Sequence, residues 1–362
     1  MADLLLNARF LMRAPTGVDR TATELVSALL ELPHAPTLRA LRPGGAIANE
    51  PDRPPSLLAV TSVLPSQWPG QLWEQITLNS MRPDDWMLSL CNMGPVRRKR
   101  QIVMIHDAQV FRQPQSYSRM FRAWYNVLQP RLGHRASRVL TVSEHSRSEI
   151  LHFGLAPADR IDVIPNGADH ILRIAPDPET LTRHRLQPGG YLLAIGSIAP
   201  HKNLPFLVNA ARARQNRDMP LVIAGGGNAT IFGAEGIAAS EDVRILGRVS
   251  EGELRALYNN ARALVFPSIT EGFGLPAAEA MACGCPVIAS TGGAIPEVCG
   301  DSTILLDPGD TAGWTHAMDT IASDDALCDR LSRQGRNRAA SMTWRASAER
   351  LVKILMDLDN PH

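Results

Sequence analysis

The sequence predicts a parallel α/β fold divided into two domains, on three observations. A chain of 362 residues is long for one hydrophobic core and suits two domains of ordinary size. Short apolar runs bounded by turn residues alternate with longer amphipathic stretches, the order that gives parallel sheets covered on both faces. The runs also fall into two groups, separated by the polar, proline-bearing stretch HILRIAPDPETLTRHRLQPGG at 170–190. The inter-domain linker is expected there, with a first domain over 1–172, a second over 173–344 and a deep cleft between them.

Taken in order, the N-terminus MADLLLNARFLMRAPTG has charges interrupting its apolar run. It reads as a first buried strand, LLLNARF, rather than a secretion signal or a membrane span. TGVDRTATEL follows, with Gly17 opening a helix-like pattern. The Pro-rich segment 43–70 reads as an irregular connection. QIVMIHD is a strand ending in His106 and Asp107, and RVLTVS and IDVIP complete the first group. Between those two, EHSRSEI reads as a loop entering a helix, with Ser146 as N-cap and Glu149 in capping-box spacing. The second group is YLLAIGS, LVIAGGG, VRILG, ALVFPS, PVIAS and TILLD, and no fixed-period repeat runs through either.

Hydrophobic residues make up 44% and charged residues 20% of the chain, which excludes a disordered or coiled-coil protein. The formal charge of +1 gives no overall argument for nucleic acid, and no recognition module supports it. Before His170, however, 19 basic residues stand against 15 acidic ones, leaving about +4. The run RRKR at 97–100 and the stretch FRAWYNVLQPRLGHRASR carry much of this excess. A solvated face is the default reading, and peripheral contact with an anionic membrane is the alternative. The five cysteines lack C-x-x-C spacing, so a reduced, cytoplasmic chain is expected, with Cys283, Cys285 and Cys299 as small core residues.

In open parallel sheets ligands bind beyond the carboxyl ends of the strands, so the segments after each strand are the candidates for chemistry. After ALVFPS comes EGFGLPAAEAMACGCPVIAS. Pro276 suits the first helical position and Gly284 the C-cap, so a helix is expected over 276–283. Gly272 and Gly274 fall in the turn before it, where backbone amides can face an anion. Glu271 then lies in the loop and Glu279 in the first turn, and the pair can flank a ligand lying across the helix N-terminus. Carboxylates suit the hydroxyls of a sugar, although an acidic residue in a first turn is equally explained by the helix dipole. In GSIAPHKNL, Lys202 sits at a helix start between His201 and Asn203, the expected N-cap. A lysine there opposes the macrodipole, which a bound phosphate explains better than accident. AGGGN at 224–228 is weaker, because a triple glycine is often only a strand-ending turn. His106 is either a satisfied buried histidine or a group at the ligand-binding edge.

Together these segments resemble glycosyltransferase family 4, retaining enzymes of the GT-B architecture that use nucleotide-sugar donors. The marks are TGVDR, LWEQ at 72–75, IHDAQVF, TVSEHSRSEI, VIPNGAD, IGSIAPHKNL, the stretch from LGRVSEGELRALYNNARALVFPS through the E-x7-E segment, and GGAIPEV. The resemblance implies two Rossmann-like domains, the first rejoined by a C-terminal helix over 345–362. It also implies that Glu271 and the amides of Phe273, Gly274 and Leu275 hold the donor sugar and diphosphate. Glu279 would bind the ribose, Lys202 would neutralise the diphosphate, and Gly196 and His201 would belong to the same loop. The base would pack near Arg248 and Val249, Gly17 would let the backbone approach the phosphates, and His106 would sit by the sugar. One departure is His201, where the family often has arginine; Arg20 is the candidate for the second cation.

No Asp-x-Asp motif is apparent, so no cofactor or metal is expected, with the nucleotide sugar as co-substrate. The openings NARFL and TGVDR resemble bacterial exopolysaccharide mannosyltransferases. The expected activity is hexose transfer, mannose from GDP-mannose first and glucose from UDP-glucose second, to a saccharide or lipid-linked acceptor. A nucleotide-sugar 2-epimerase and a non-catalytic nucleotide-sugar-binding scaffold are the alternatives.

Overall fold

The computed structural model describes residues 4–50, 53–215, 217–226 and 239–359. The chain forms two compact units, Met1–Gly167 with Trp344–His362, and Ala168–Thr343. The first division thus falls at Gly167, where the sequence reading set 172, and the polar stretch from His170 belongs to the second unit.

The first unit is built on seven parallel strands in the order β3-β2-β1-β4-β5-β6-β7. These are β1 Leu4–Asn7, β2 Leu38–Arg42, β3 Thr61–Val63, β4 Trp86–Ser89, β5 Gln101–Met104, β6 Arg138–Thr141 and β7 Ile161–Val163. β1, β4 and β5 are buried at every position, as central strands covered on both faces must be. The helix Gly17–Leu30 and the C-terminal helix Trp344–Asp359 pack on each other. The latter is fastened by Trp86 Nε1 donating to Asp359 Oδ1 at 2.8 Å and Ser347 Oγ to the Pro165 carbonyl at 2.5 Å.

Two expectations need correction here. The Pro-rich segment is not wholly irregular, since it contains the helix Pro55–Ala59 and the edge strand β3. β2, β3 and β4 escaped the sequence reading: β2 interleaves arginines, Leu-Arg-Ala-Leu-Arg, with its buried residues, and β3 is a three-residue strand without a buried position. The helix Glu144–His152 is capped by Ser143, whose side chain accepts from the Ser146 amide. Ser146 is therefore a buried residue of the first turn and not the cap, while Glu149 pairs with Arg112 at 2.5 Å.

The second unit has six parallel strands in the order β10-β9-β8-β11-β12-β13. They are β8 Leu192–Ile195, β9 Leu221–Ala224, β10 Val243–Gly247, β11 Ala263–Phe266, β12 Val287–Ser290 and β13 Ile304–Leu306. One core cluster runs through it, from Leu192, Leu207 and Ile223 to Val265, Trp314 and Met318. Cys283, Cys285 and Cys299 are buried free thiols, and burial pushes the Cys283 thiol up to about 12, so they pack rather than react. In each unit the strand order reverses once, between β1 and β4 and between β8 and β11. At such a point the loops leaving two neighbouring strands diverge and open a crevice at their carboxyl ends.

Candidate active site

In the second unit the reversal brings together the loop after β8 and the loop after β11. Lys202 ends the 3₁₀ turn Pro200–Lys202, and its Nζ lies 2.6 Å from Glu271 Oε1. The ammonium also sits 5.7 Å from the centre of the Phe266 ring, a cation–π contact that suits a charge partly withdrawn from water. Glu271 is 8% exposed. The turn is stitched in place from both ends. The Ile269 amide donates to the His201 carbonyl at 2.7 Å, and Asn203 Nδ2 donates to the carbonyls of Pro267 and Pro308 at 3.3 and 2.9 Å. Asn203 does occupy the N-cap position, but in left-handed conformation (φ 56°) and without capping through its side chain. Its amide is spent on tying the Lys202 turn to the loops after β11 and β13.

Glu271 is held as firmly. Its carbonyl accepts from the Ala294 amide at 2.9 Å. A Cβ on Gly293 would lie 2.4 Å from the Glu271 backbone, and one on Gly292 would lie 2.3 Å from the Ile269 carbonyl. Only glycines let the GGAIPEV segment lie so close. The glycines of AGGGN have a similar use: a Cβ on Gly226 would lie 2.4 Å from Ser197 Cα, in the loop that carries Gly196. Gly227 and Asn228 lie outside the described residues.

The helix after Glu271 runs Leu275–Cys283, one residue longer than expected, and ends in Gly284 at φ 77°. Gly274 is its N-cap, at φ 91°, with no side-chain cap. The amides of Phe273, Gly274 and Leu275 find no acceptor among the described residues. Glu279 therefore lies in the second turn, not the first, so a dipole interaction does not explain it. It is 3% exposed, with Oε1 at 3.0 Å from His170 Nε2 and Oε2 accepting from Tyr258 OH at 3.0 Å. Burial, with the Glu279 carboxylate beside it, keeps the Tyr258 phenol well above its ordinary value, so it donates. Sequence reasoning missed both partners. His170 opens the stretch where the linker is expected, and Tyr258, on the helix Glu251–Asn260, carries no expectation at all.

Beside Lys202, His201 is neutral. Burial, then the adjacent ammonium, lowers its affinity for a proton, with Glu271 opposing. Its Nδ1 is buried with no hydrogen-bond partner, an unusual state for a buried polar atom and one a ligand would resolve. Arg248 is exposed and Val249 half-buried, between β10 and the capping box that Ser250 and Glu253 make at the next helix.

In the first unit, the loops after β1, β4 and β5 gather another group. Gly17 is the first residue of its helix, behind a capping box of Thr16 and Asp19, and a Cβ on it would meet nothing within 4 Å. Its own fold does not require a glycine there. Arg20 is half-buried on the same helix. Asp19 is fully buried and receives Arg13 Nη2 at 2.7 Å, while Glu74 of the LWEQ motif holds Asn7 at 2.8 Å and Arg9 at 2.9 Å. His106 is 5% exposed. Its amide donates to Asn92 Oδ1 at 2.8 Å, and its Nε2 lies 2.8 Å from the Leu90 carbonyl. Nε2 thus carries the proton and Nδ1 is an acceptor. Burial pulls the imidazole down to about 4, so the ring is neutral at ordinary pH, with Nδ1 able to accept from a hydroxyl.

Two family models match the chain, Glycosyltransferase Family 4 over residues 15–171 and Glycosyl transferases group 1 over 184–338. The chain is 32% identical over 268 residues to an O-antigen chain mannosyltransferase B of Escherichia coli, covering 69% of this chain and 68% of that one. It is 32% identical over 274 residues to an MMP alpha-(1->4)-mannosyltransferase of Mycolicibacterium hassiacum, covering 72% and 62%. Among solved structures, the Anabaena protein HepE in complex with UDP-glucose matches with a TM-score of 0.76 at 18% identity, over 99% of this chain and 100% of that one. Sucrose-phosphate synthase from Thermosynechococcus elongatus matches with 0.75 at 19%, over 99% of both. These likenesses show the GT-B fold.

Two measurements test the geometry itself. Lys202→Met and Glu271→Gln each strand a partly desolvated charge or its partner, so each is expected to cost about 2 kcal/mol in urea unfolding, and the double variant less than the sum. Additive losses would show that the pair is not coupled. His106 binds its proton more weakly folded than unfolded, where the ordinary value is 6.5. Its contribution is therefore intact above pH about 6.5 and is lost as pH falls toward about 4, by about 3 kcal/mol in all. His106→Gln should flatten the unfolding free energy across that window.

Proposed function

Because the chain belongs to glycosyltransferase family 4, we propose that this glycosyltransferase is a retaining hexosyltransferase that moves mannose from GDP-mannose to a saccharide or lipid-linked acceptor in surface polysaccharide synthesis. The observation that carries the reading is the Lys202–Glu271 pair beside the unsatisfied amides of Phe273, Gly274 and Leu275. A diphosphate satisfies those amides and takes the remaining N–H donors of Lys202. Glu271 Oε2 then accepts from hydroxyls of the sugar. Glu279, oriented by His170 and Tyr258, keeps lone pairs for the ribose. Arg248 and Val249 back the base, and the Gly196 and His201 loop closes over the phosphates. In the first unit, Gly17, Arg20 and His106 keep the roles that the resemblance gives them, Gly17 on the ground that packing does not call for it.

In the reaction the acceptor oxygen bonds to the anomeric carbon as the bond to the phosphate oxygen breaks, on the same face, and the acceptor proton passes to that phosphate oxygen. The transition state is oxocarbenium-like, and the departing diphosphate gains charge. Lys202 and the helix amides stabilise that charge, so the assignment needs no divalent ion. Glu271 is a positioning and electrostatic group: its carboxylate is engaged by Lys202, which suits holding hydroxyls better than attack on carbon.

Mannose stands first because the relatives above are named mannosyltransferases. Glucose from UDP-glucose is the second reading, favoured by the likeness to HepE solved with that donor. No described helix is long and apolar enough to cross a membrane; a peripheral position at the inner membrane face remains part of the proposal for a lipid-linked acceptor.

Incubation with nucleotide sugars, with and without lipid-linked acceptors, tests the assignment by nucleotide release and product anomer. Acceptor-dependent release from GDP-mannose with retention is expected; use of UDP-glucose alone would move the assignment to the second reading. Isomerised donor without acceptor would indicate the epimerase, and binding without turnover the scaffold. Glu271→Gln should lower kcat on the order of a hundredfold. Gly17→Ala should keep the unfolding midpoint yet lower kcat/KM on the order of tenfold, since a methyl group then occupies the ligand's side. Tyr258→Phe should raise the donor KM severalfold with less effect on kcat, about 1 kcal/mol for one lost hydrogen bond to Glu279.

A further inference from the structure

The proposed reaction leaves unused the basic run at 97–100 and the basic end of the helix Arg119–Arg135. In the first unit they meet. Arg97 and Lys99 lie before β5, Arg131, His134 and Arg135 in the last turns of the helix that leads into β6, and Arg160 just before β7. These six residues line one cleft of about 1100 Å³, and no carboxylate lines it with them. It opens at the amino-terminal ends of β5, β6 and β7, the edge of the sheet opposite the loops that carry Gly17 and His106.

Its arginines are positioned without being neutralised. Arg131 Nη1 donates to the Val127 carbonyl at 2.6 Å, Arg135 Nε to the Arg97 carbonyl at 2.8 Å, and Arg160 Nη1 to the His134 carbonyl at 3.0 Å. Carbonyl oxygens fix a guanidinium but leave its unit charge unpaired. Among the described residues none of the five fixed cations has an ion-pair partner, whereas Arg82, Arg112, Arg138 and Arg147 of the same unit all do. The run RRKR is split accordingly. Arg98 turns inward and is buried on the carbonyls of Met81, Arg82 and Asp85, and Arg97 and Lys99 stay exposed. A helix C-terminus attracts cations, which accounts for His134 and Arg135. It does not account for Arg97, Lys99 and Arg160, which come from two other loops.

We propose that this cleft is a second, non-catalytic site that binds a phosphate-bearing anion, either a phospholipid headgroup or a soluble polyphosphate. Guanidinium forks match phosphate oxygens in pairs, and several unpaired ones in a single cleft favour a multiply charged ligand over a carboxylate.

The test uses the full chain, its Lys99→Glu and Arg135→Glu variants, and Lys202→Met as a control for anion binding in the second unit. Tripolyphosphate binding is measured by calorimetry at low salt, and vesicle binding by co-sedimentation with phosphatidylcholine–phosphatidylglycerol mixtures against phosphatidylcholine alone. Both cleft variants should bind at least one probe about tenfold more weakly than wild type, with Lys202→Met little changed and donor turnover preserved in the cleft variants. Loss of tripolyphosphate binding identifies a soluble ligand, and loss confined to anionic vesicles identifies a headgroup. Lys99→Glu guards against a folding defect, because the exposed Lys99 side chain makes no hydrogen bond or ion pair among the described residues. The proposal is overturned if wild type binds neither probe, if the cleft variants bind both as wild type does, or if only Lys202→Met loses binding.

Discussion

The contact around which the second unit's candidate site is built is the one between Lys202 and Glu271, 69 residues apart in sequence and 2.6 Å apart in space. It exists because the sheet reverses its strand order between β8 and β11. A lysine just ahead of the helix Leu204–Arg212 is unfavourable by itself, and so is a glutamate almost removed from water. Each is tolerable because the other is there. The pair is net neutral, so the positive potential that awaits an anion comes from the uncapped helix at Leu275 and from the donors of Lys202 that Glu271 does not use. A site built this way has its dipoles fixed before the charge develops, which is the condition for electrostatic stabilisation without reorganisation.

The same economy governs the polar residues around it. Glu279 is held by a histidine ring and a phenol, and so presents oxygens of fixed direction. In the first unit Asp19 and Glu74 are buried under Arg13 and Arg9 at the carboxyl ends of β1 and β4. There too buried charge is paired: Asp19 by Arg13 of its own β1–helix connection, and Glu74, from between β3 and β4, by Arg9 of that connection. His106 stands at the next strand, neutral, with its tautomer set by a backbone carbonyl.

Much of this was legible in the sequence, for identifiable reasons. Continuous apolar runs gave ten of the thirteen strands among the described residues, since a strand buried on both faces has a signal that survives without tertiary context. The helix after Glu271 and its end at Gly284 were legible because proline and glycine constrain the backbone locally. What failed was whatever depends on a distant partner. Ser143 and Ser146 are both adequate caps by composition, and only the path of β6 decides between them. His170 sits in a polar stretch and looks like linker, yet it is buried because Glu279, 109 positions later, needs a donor. Gly292 and Gly293 look like a turn, and their actual constraint is the backbone of residues 269 to 271 lying against them.

The first unit's excess of positive charge also acquires a location. Along the carboxyl edge of its sheet the arginines nearest the loops, Arg9 and Arg13, are cancelled by Glu74 and Asp19. Along the amino edge Arg131, Arg135 and Arg160 are held by carbonyls instead. Both arrangements order a guanidinium; only the second preserves its field. A sheet whose arginines are paired with carboxylates along one edge and held by carbonyls along the other will orient in any negative potential with the second edge leading. That orientation leaves the loops of Gly17 and His106 facing away from the attracting surface.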